Sequence, residues 1–152
     1  MFQWYDDKKE LLGILMPCAL VMHIGMVVIA DCLKKTGKHQ SFAQEFDAET
    51  FLESEAAFLS CNQFEVLELL FEHWHFEHTM TQVAHFLLQE DCPSELEPYL
   101  YPLRVVNTLI NPFSVANPMQ INQSLQKIRH YKLNAEKFNT TLENIAALQE
   151  NL

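Results

Sequence analysis

The stretch Cys61–Glu90, CNQFEVLELLFEHWHFEHTMTQVAHFLLQE, decides the fold that the sequence predicts. Its apolar residues recur at intervals of three and four, the spacing of one face of an α-helix. In the first half these residues are Phe64, Leu67, Leu70, Phe71 and Trp74, and in the second half they are Met80, Val83, Ala84, Leu87 and Leu88. The segment His75–Glu77 interrupts the pattern. The stretch therefore predicts two amphipathic helices joined by a short hinge, and other segments must cover their apolar faces.

Capping signals predict where several helices begin. Asn62 with Glu65 has the form of a capping box, and Ser94 with Glu97 has the same form. Asn134 is the expected N-cap of a final helix.

A further helix is predicted from Asp47 to Ser60. On its otherwise apolar face Glu55 is the odd, charged member.

Composition limits the class of protein. The chain has 152 residues, 49% of them hydrophobic, and only three glycines, which predicts one all-α domain over residues 1–152. A net charge of −10 repels phosphate backbones and disfavours nucleic acid as a partner. The four cysteines are scattered and lack metal-site spacing, which predicts free thiols in a reducing cytoplasm.

The run Leu11–Ala30, LLGILMPCALVMHIGMVVIA, is long and apolar enough to cross a membrane. A helix buried on all sides in a soluble bundle is equally apolar, and this interpretation is favoured here. Pro17 is expected to divide the run. The acidic, mixed-charge start does not suit a signal peptide. A membrane-anchored protein is the alternative.

Two stretches resemble a known family. The segment Val21–Ala30, VMHIGMVVIA, resembles the L-L-H-D-I-G-x-L-V-L segment of HD-related domains. The sequence FEVLELLFEHWHFEHTMTQVAHF resembles their later helical hairpin, and YKLNAEKFNTTLENI resembles the family's last helix. Together they are similar to the HDOD family, the HD-related output domains of bacterial signalling proteins. The resemblance runs from about Asp6 onward and lacks the family's N-terminal bundle, so we expect the C-terminal part of a longer HDOD domain, or a reduced one.

The departures from the family pattern bear on function. In HD phosphohydrolases, His and Asp side chains hold divalent metal that activates a water molecule. Aligned through Ile24–Gly25, the His-Asp pair becomes Met22–His23, the later His becomes Gln63, and a His-His pair becomes His85–Phe86. A thioether is a poor ligand for hard cations. The resemblance therefore implies a compact, HD-like all-α scaffold acting as a non-catalytic regulatory module in bacterial signal transduction. It would bind no metal or cofactor and would work through protein contact, self-association or small-ligand sensing.

The resemblance also selects candidate site residues. The predicted remnant of the family's centre is a polar pocket of His23, Glu55, Gln63 and His85. A buried polar cluster that merely fixes helix register is the simpler interpretation. The competing hypothesis is a metal-dependent phosphohydrolase with a rearranged site made of His23, His85 and either Glu55 or Asp31.

Two further groups of residues invite a function. A concentration of histidines suggests a metal site, but their helical spacing fits a solvated face better; they are His73, His75, His78 and His85. The N-terminal aromatics Phe2, Trp4 and Tyr5 are candidates for a partner-binding surface, or else they close the core.

Overall fold

The computed structural model describes residues 4–5, 8–48 and 50–149. Within these ranges the chain forms nine α-helices, one short 3-10 turn and one two-residue antiparallel ladder, which confirms the all-α prediction. The helices are α1 Lys9–Val21, α2 Gly25–Lys35, α3 His39–Glu45, α4 Phe51–Leu59, α5 Gln63–His73, α6 His78–Phe86, α7 Glu97–Leu109, α8 Pro118–His130 and α9 Ala135–Gln149. The ladder pairs β1 (Ile110–Asn111) with β2 (Ser114–Val115).

The central hairpin forms as the sequence predicts, from α5 and α6. The Asn62 side chain accepts hydrogen bonds from the N–H groups of Phe64 (2.9 Å) and Glu65 (3.2 Å). In return the Glu65 carboxylate accepts from the Asn62 N–H at 2.8 Å, which completes the capping box. At the hinge, His75 adopts the left-handed conformation with φ of 56°. Local signals alone were sufficient to place this turn.

Helix α7 links two buried clusters. Its N-terminal half contributes Leu100 and Leu103 to a core that also contains Leu15 of α1 and Phe71 of α5. Its C-terminal half joins a second cluster, made of Val105, Leu109, Ile128 and Phe138. Each fully buried side chain of this size contributes about 1.5–3 kcal/mol relative to exposure.

The run Leu11–Ala30 differs from its prediction in where it breaks. Pro17 lies inside α1, and the chain turns at 22–24 instead. Proline removes one helical hydrogen bond and costs ~3 kcal/mol. The neighbouring buried side chains Leu15 and Cys18 offset that cost because each removes apolar surface from water.

The prediction that this run is buried on all sides is wrong. Only one face of α1 packs inward, while Leu20 is 78% exposed and Val27 of α2 is 68% exposed. The helical stretch Lys9–Lys35 also meets the length and composition requirements of a membrane span, and 33% of its most apolar window is buried. The cytoplasmic location stays a prediction.

Other helix starts are corrected or confirmed by their caps. Asn134 caps α9, accepting from the N–H groups of Glu136 and Lys137. Ser94 makes no capping bond and instead opens the 3-10 turn Ser94–Leu96. Helix α4 begins at Phe51, later than the predicted Asp47.

The N-terminal aromatics that the structure describes are packed against the core. The Trp4 ring stacks on Phe138 at 6.4 Å between centroids, and its Nε1–H donates to the Asn134 carbonyl at 2.8 Å. Tyr5 packs against the main cluster. Both side chains therefore help to close the core, and a partner-binding role for this segment stays a prediction. Phe2 lies outside the described residues.

Candidate functional site

The candidate site lies where the α1–α2 turn meets the start of α5. His23 lies in that turn, Gln63 is the first residue of α5, and Glu55 lies in the preceding helix α4. Gly25, the first residue of α2, allows the two helices to approach closely, since a β-carbon there would stand 2.0 Å from the Gln63 carbonyl oxygen. The structure thus brings together three of the four predicted site residues.

Glu55 anchors the start of α5. The backbone N–H of Gln63 donates to Glu55 Oε2 at 2.8 Å, and the Glu55 side chain is buried, with the residue 3% exposed. Burial raises the pKa of the Glu55 carboxyl, and the hydrogen bond from Gln63 acts in the opposite direction. A carboxylate at a helix N-terminus also interacts favourably with the helix dipole.

His23 bridges α5 and the β1 strand. Its Nδ1 lies 3.3 Å from Gln63 Oε1, and its Nε2 lies 3.4 Å from the carbonyl oxygen of Ile110. Both separations are at the long end of the hydrogen-bond range, so each bond is weak. Burial lowers the pKa of His23, and the two hydrogen bonds oppose that shift. The Phe64 ring contacts the imidazole edge-on at 5.8 Å.

The contact between His23 and Gln63 depends on the protonation of the ring. Because the Ile110 carbonyl only accepts, Nε2 of the neutral ring carries the proton and Nδ1 is an acceptor. A neutral ring therefore needs the amide nitrogen of Gln63 beside Nδ1, whereas a charged ring donates to the amide oxygen. With the oxygen facing His23, Gln63 Nε2 is buried and lacks a partner among the described residues. A half-turn of the Gln63 amide group places Nε2 beside Nδ1 of the neutral ring and so gives it a partner. The protonation of His23 and the orientation of the Gln63 amide are therefore coupled.

A cavity of about 320 Å³ lies beside this cluster, and we call it the Glu55 cavity. Three aromatic rings contribute to its wall, and Glu55 is the charged residue in its lining. The full lining is Met26, Ile29, Ala30, Leu33, Phe42, Ala43, Phe46, Glu55 and Phe113.

The fourth predicted pocket residue, His85, is placed elsewhere. Its Nδ1 pairs with Glu68 Oε1 at 2.9 Å, on the side of α5 that faces α6. Gln63 and Glu68 are five positions apart, which separates them by about 140° around a helix. One helix cannot present both to the same pocket, so including His85 in the pocket was wrong.

The alternative metal sets are also not assembled. Among the residues that the structure describes, no three His, Cys, Asp or Glu side chains are placed to hold a metal ion. Asp31 is exposed and pairs with Lys35 at 2.5 Å. His73, His75 and His78 are exposed.

Sequence reasoning missed the Glu55 cavity. The available signal was the apolar spacing within α2, where Met26, Ile29, Ala30 and Leu33 share one face. Phe42 and Phe46 are four positions apart, the interval of one helix face, although Phe46 lies just past the end of α3 with an extended backbone. What the sequence did not show was that these faces meet around a carboxyl group.

Comparison with known proteins bears on the fold. No protein-family model and no curated protein matches the chain. Among solved structures, a virulence factor from Campylobacter jejuni subsp. jejuni matches with a TM-score of 0.74 and 22% identity. The match covers 86% of this chain and 50% of that one, so the chain spans about half the length of its structural neighbour. At this identity the likeness supports a shared fold.

Proposed function

We propose that the protein is a non-catalytic, HDOD-like regulatory module in bacterial signal transduction that responds to a small ligand and passes the response to a protein partner or a second copy. The observation that carries the proposal is the position of Glu55. Its carboxyl belongs to the lining of the Glu55 cavity and also holds the first N–H of α5. A ligand that contacts this carboxyl would alter the hydrogen bond at the start of the central hairpin.

The residues at the aligned HD positions support a non-catalytic role. Metal-dependent phosphoester hydrolysis needs several converging ligands that activate water. Met22 offers a thioether, and Gln63 offers a neutral amide that already contacts His23. Glu55 Oε2 accepts from backbone. These groups suit a hydrogen-bonded cluster better than a divalent cation.

A surface for the partner is available beside the cluster. Leu20 and Val27 flank the turn that carries His23, and both side chains are largely exposed. Exposed apolar residues are common on protein surfaces, and these two lie in the helices on either side of the turn. They are candidates for contact with a protein partner, and the acidic net charge of −10 disfavours nucleic acid.

The test combines metal analysis with a hydrolysis assay. Elemental analysis of the purified protein is expected to show substoichiometric Mn and Fe, and bis-p-nitrophenyl phosphate should not be hydrolysed when Mn²⁺ is added. Stoichiometric metal with hydrolysis that disappears in His23→Ala would overturn the proposal in favour of a phosphohydrolase. Purification from the soluble fraction without detergent tests the membrane-anchored alternative that the apolar stretch Lys9–Lys35 raises.

A further inference from the structure

The Glu55 cavity combines an apolar wall with one ionisable group. Of its nine lining residues, Glu55 alone is charged, and it is 3% exposed. Oε2 is engaged by the Gln63 N–H, while Oε1 has no hydrogen-bond partner within the described part of the chain. Among the described side chains, Gln63 Nε2 is the fully buried polar atom without a partner, so Glu55 Oε1 keeps some accessible surface. Because Glu55 lines the cavity, a donor on a ligand can reach this oxygen there.

We propose that the Glu55 cavity binds a small organic ammonium ion, with an aromatic or alkyl body among the phenylalanines and its nitrogen against Glu55. This inference rests on the proposed ligand-sensing function and names the class of ligand. An ammonium group supplies N–H donors to the unused oxygen and compensates the buried negative charge.

The aromatic wall favours a cation for a separate reason. Phe46 and Phe113 meet edge to face at 4.9 Å between centroids, and Phe42 lies 5.4 Å from Phe46. Ring faces attract organic cations electrostatically, by about 0.5–2 kcal/mol for each contact. Phe113 is 43% exposed, which places it at the rim where a ligand would enter.

The lining disfavours the other charge types. A carboxylate or phosphate ligand would meet Glu55 as a like charge, and no lining side chain is a cation. The nearby Lys38 ammonium is engaged, since it donates to the Phe58 carbonyl at 2.7 Å. A cavity of about 320 Å³ is at the small end for ligand sites and suits one ring with a short chain.

Three probes with one apolar body separate charge from shape. We would titrate the full chain by calorimetry at neutral pH with 4-phenylbutylamine, 4-phenylbutan-1-ol and 4-phenylbutanoate. The amine should bind roughly tenfold to hundredfold more tightly than the alcohol, and the acid more weakly than either. Amide shifts at Ala30, Phe42 and Phe113 in NMR spectra should locate the amine in the Glu55 cavity.

Glu55→Gln is the decisive variant because its amide oxygen can still accept from the Gln63 N–H. It should lose the preference for the amine over the alcohol while keeping the alcohol affinity. Glu53→Gln removes the same charge from an exposed position of α4 and should leave the preference intact.

Three results would overturn the inference: no binding of any probe, equal affinity for all three, or unchanged amine preference in Glu55→Gln. These results concern ligand binding alone. The non-catalytic role is tested separately, by the metal content of the protein and by its hydrolysis of bis-p-nitrophenyl phosphate.

Discussion

The backbone of Gln63 lies directly against Gly25, so that a β-carbon on Gly25 would stand 2.0 Å from the Gln63 carbonyl oxygen and 2.8 Å from its carbon. The obstructing atoms are main chain, which cannot rotate aside as a side chain can. This approach brings the N-terminal ends of α2 and α5 together, and it therefore holds His23 within reach of the Gln63 amide.

Gly25→Ala should consequently destabilise the protein strongly. Overpacking of this kind costs about 1–3 kcal/mol or more, because α2 and α5 have to move apart. Gly13→Ala is the matched control, since Gly13 lies in α1 with no atom near the position of an added β-carbon. It should gain up to ~1 kcal/mol from helix propensity. Urea denaturation of both variants measures the difference, and equal stabilities would contradict the close approach.

The raised pKa of Glu55 predicts a pH-dependent cost. A folded-state pKa above the unfolded value gives stability that is complete below about pH 4.5 and is lost as pH rises through the folded value. Glu55→Gln should therefore match the parent protein at pH 4 and become increasingly more stable than it toward pH 7. The neighbouring Cys61 thiol, whose pKa burial raises, stays neutral over this range.

Chemical denaturation at several pH values tests this, with Glu53→Gln as the exposed control on the same helix. A constant difference between Glu55→Gln and the parent across the range would show that the Glu55 carboxyl is not desolvated in the folded protein. A stability cost at neutral pH is what a carboxyl retained for binding would produce.

The contribution of His23 to stability depends on pH in the opposite direction to that of Glu55. Burial depresses its pKa, so its contribution to stability is present above about pH 6.5 and is lost as pH falls through the lower folded value. Nitrogen-15 NMR of the imidazole should show the neutral Nε2–H tautomer at pH 7 and protonation below pH 6.5. The Gln63 side-chain amide signals should shift in the same transition, because the ring exchanges an acceptor for a donor at Nδ1. Assignment by His23→Gln identifies the ring, and an Nδ1–H tautomer at neutral pH would contradict the contact to Ile110.

Features set by nearby residues could be predicted from the sequence. Local spacing predicts the hairpin and its hinge. It also predicts the Asn62 and Asn134 caps, because each capping side chain binds backbone groups within three positions of itself. Asn117 forms a second capping box, with Gln120, at the start of α8.

Features set by packing could not be predicted in this way. Glu55 was recognised as odd, but its burial against α5 depends on how α4 folds back, which periodicity does not encode. His85 was selected by family alignment although helical geometry turns it toward Glu68. The close approach of Gly25 to the Gln63 backbone could not be predicted either, since a glycine in an apolar run indicates only a weak point in the helix.

Arg104 is a packing feature that carries a clear prediction. The residue is 6% exposed, and its guanidinium donates to the carbonyls of Phe86 (2.9 Å) and Leu87 (3.2 Å), and also to that of Gln89. It thus satisfies the carbonyl groups at the C-terminal end of α6, where a helix leaves acceptors unpaired and its dipole favours a cation.

Arg104→Met keeps much of the side chain's apolar length but removes every one of these donors. The variant should lose about 3 kcal/mol or more, because each buried carbonyl then bears a desolvation cost without a partner. Arg129→Met, at an exposed position of α8, should change stability by less than ~0.5 kcal/mol. Arg104→Lys should fall between them, since one ammonium cannot reach as many carbonyls as a planar fork. Urea denaturation ranks the stabilities of the three variants. Hydrogen exchange of Arg104→Met should show that the loss of protection is concentrated in the last turn of α6. A loss of protection spread evenly over the chain would mean that Arg104 does not act by capping that helix end.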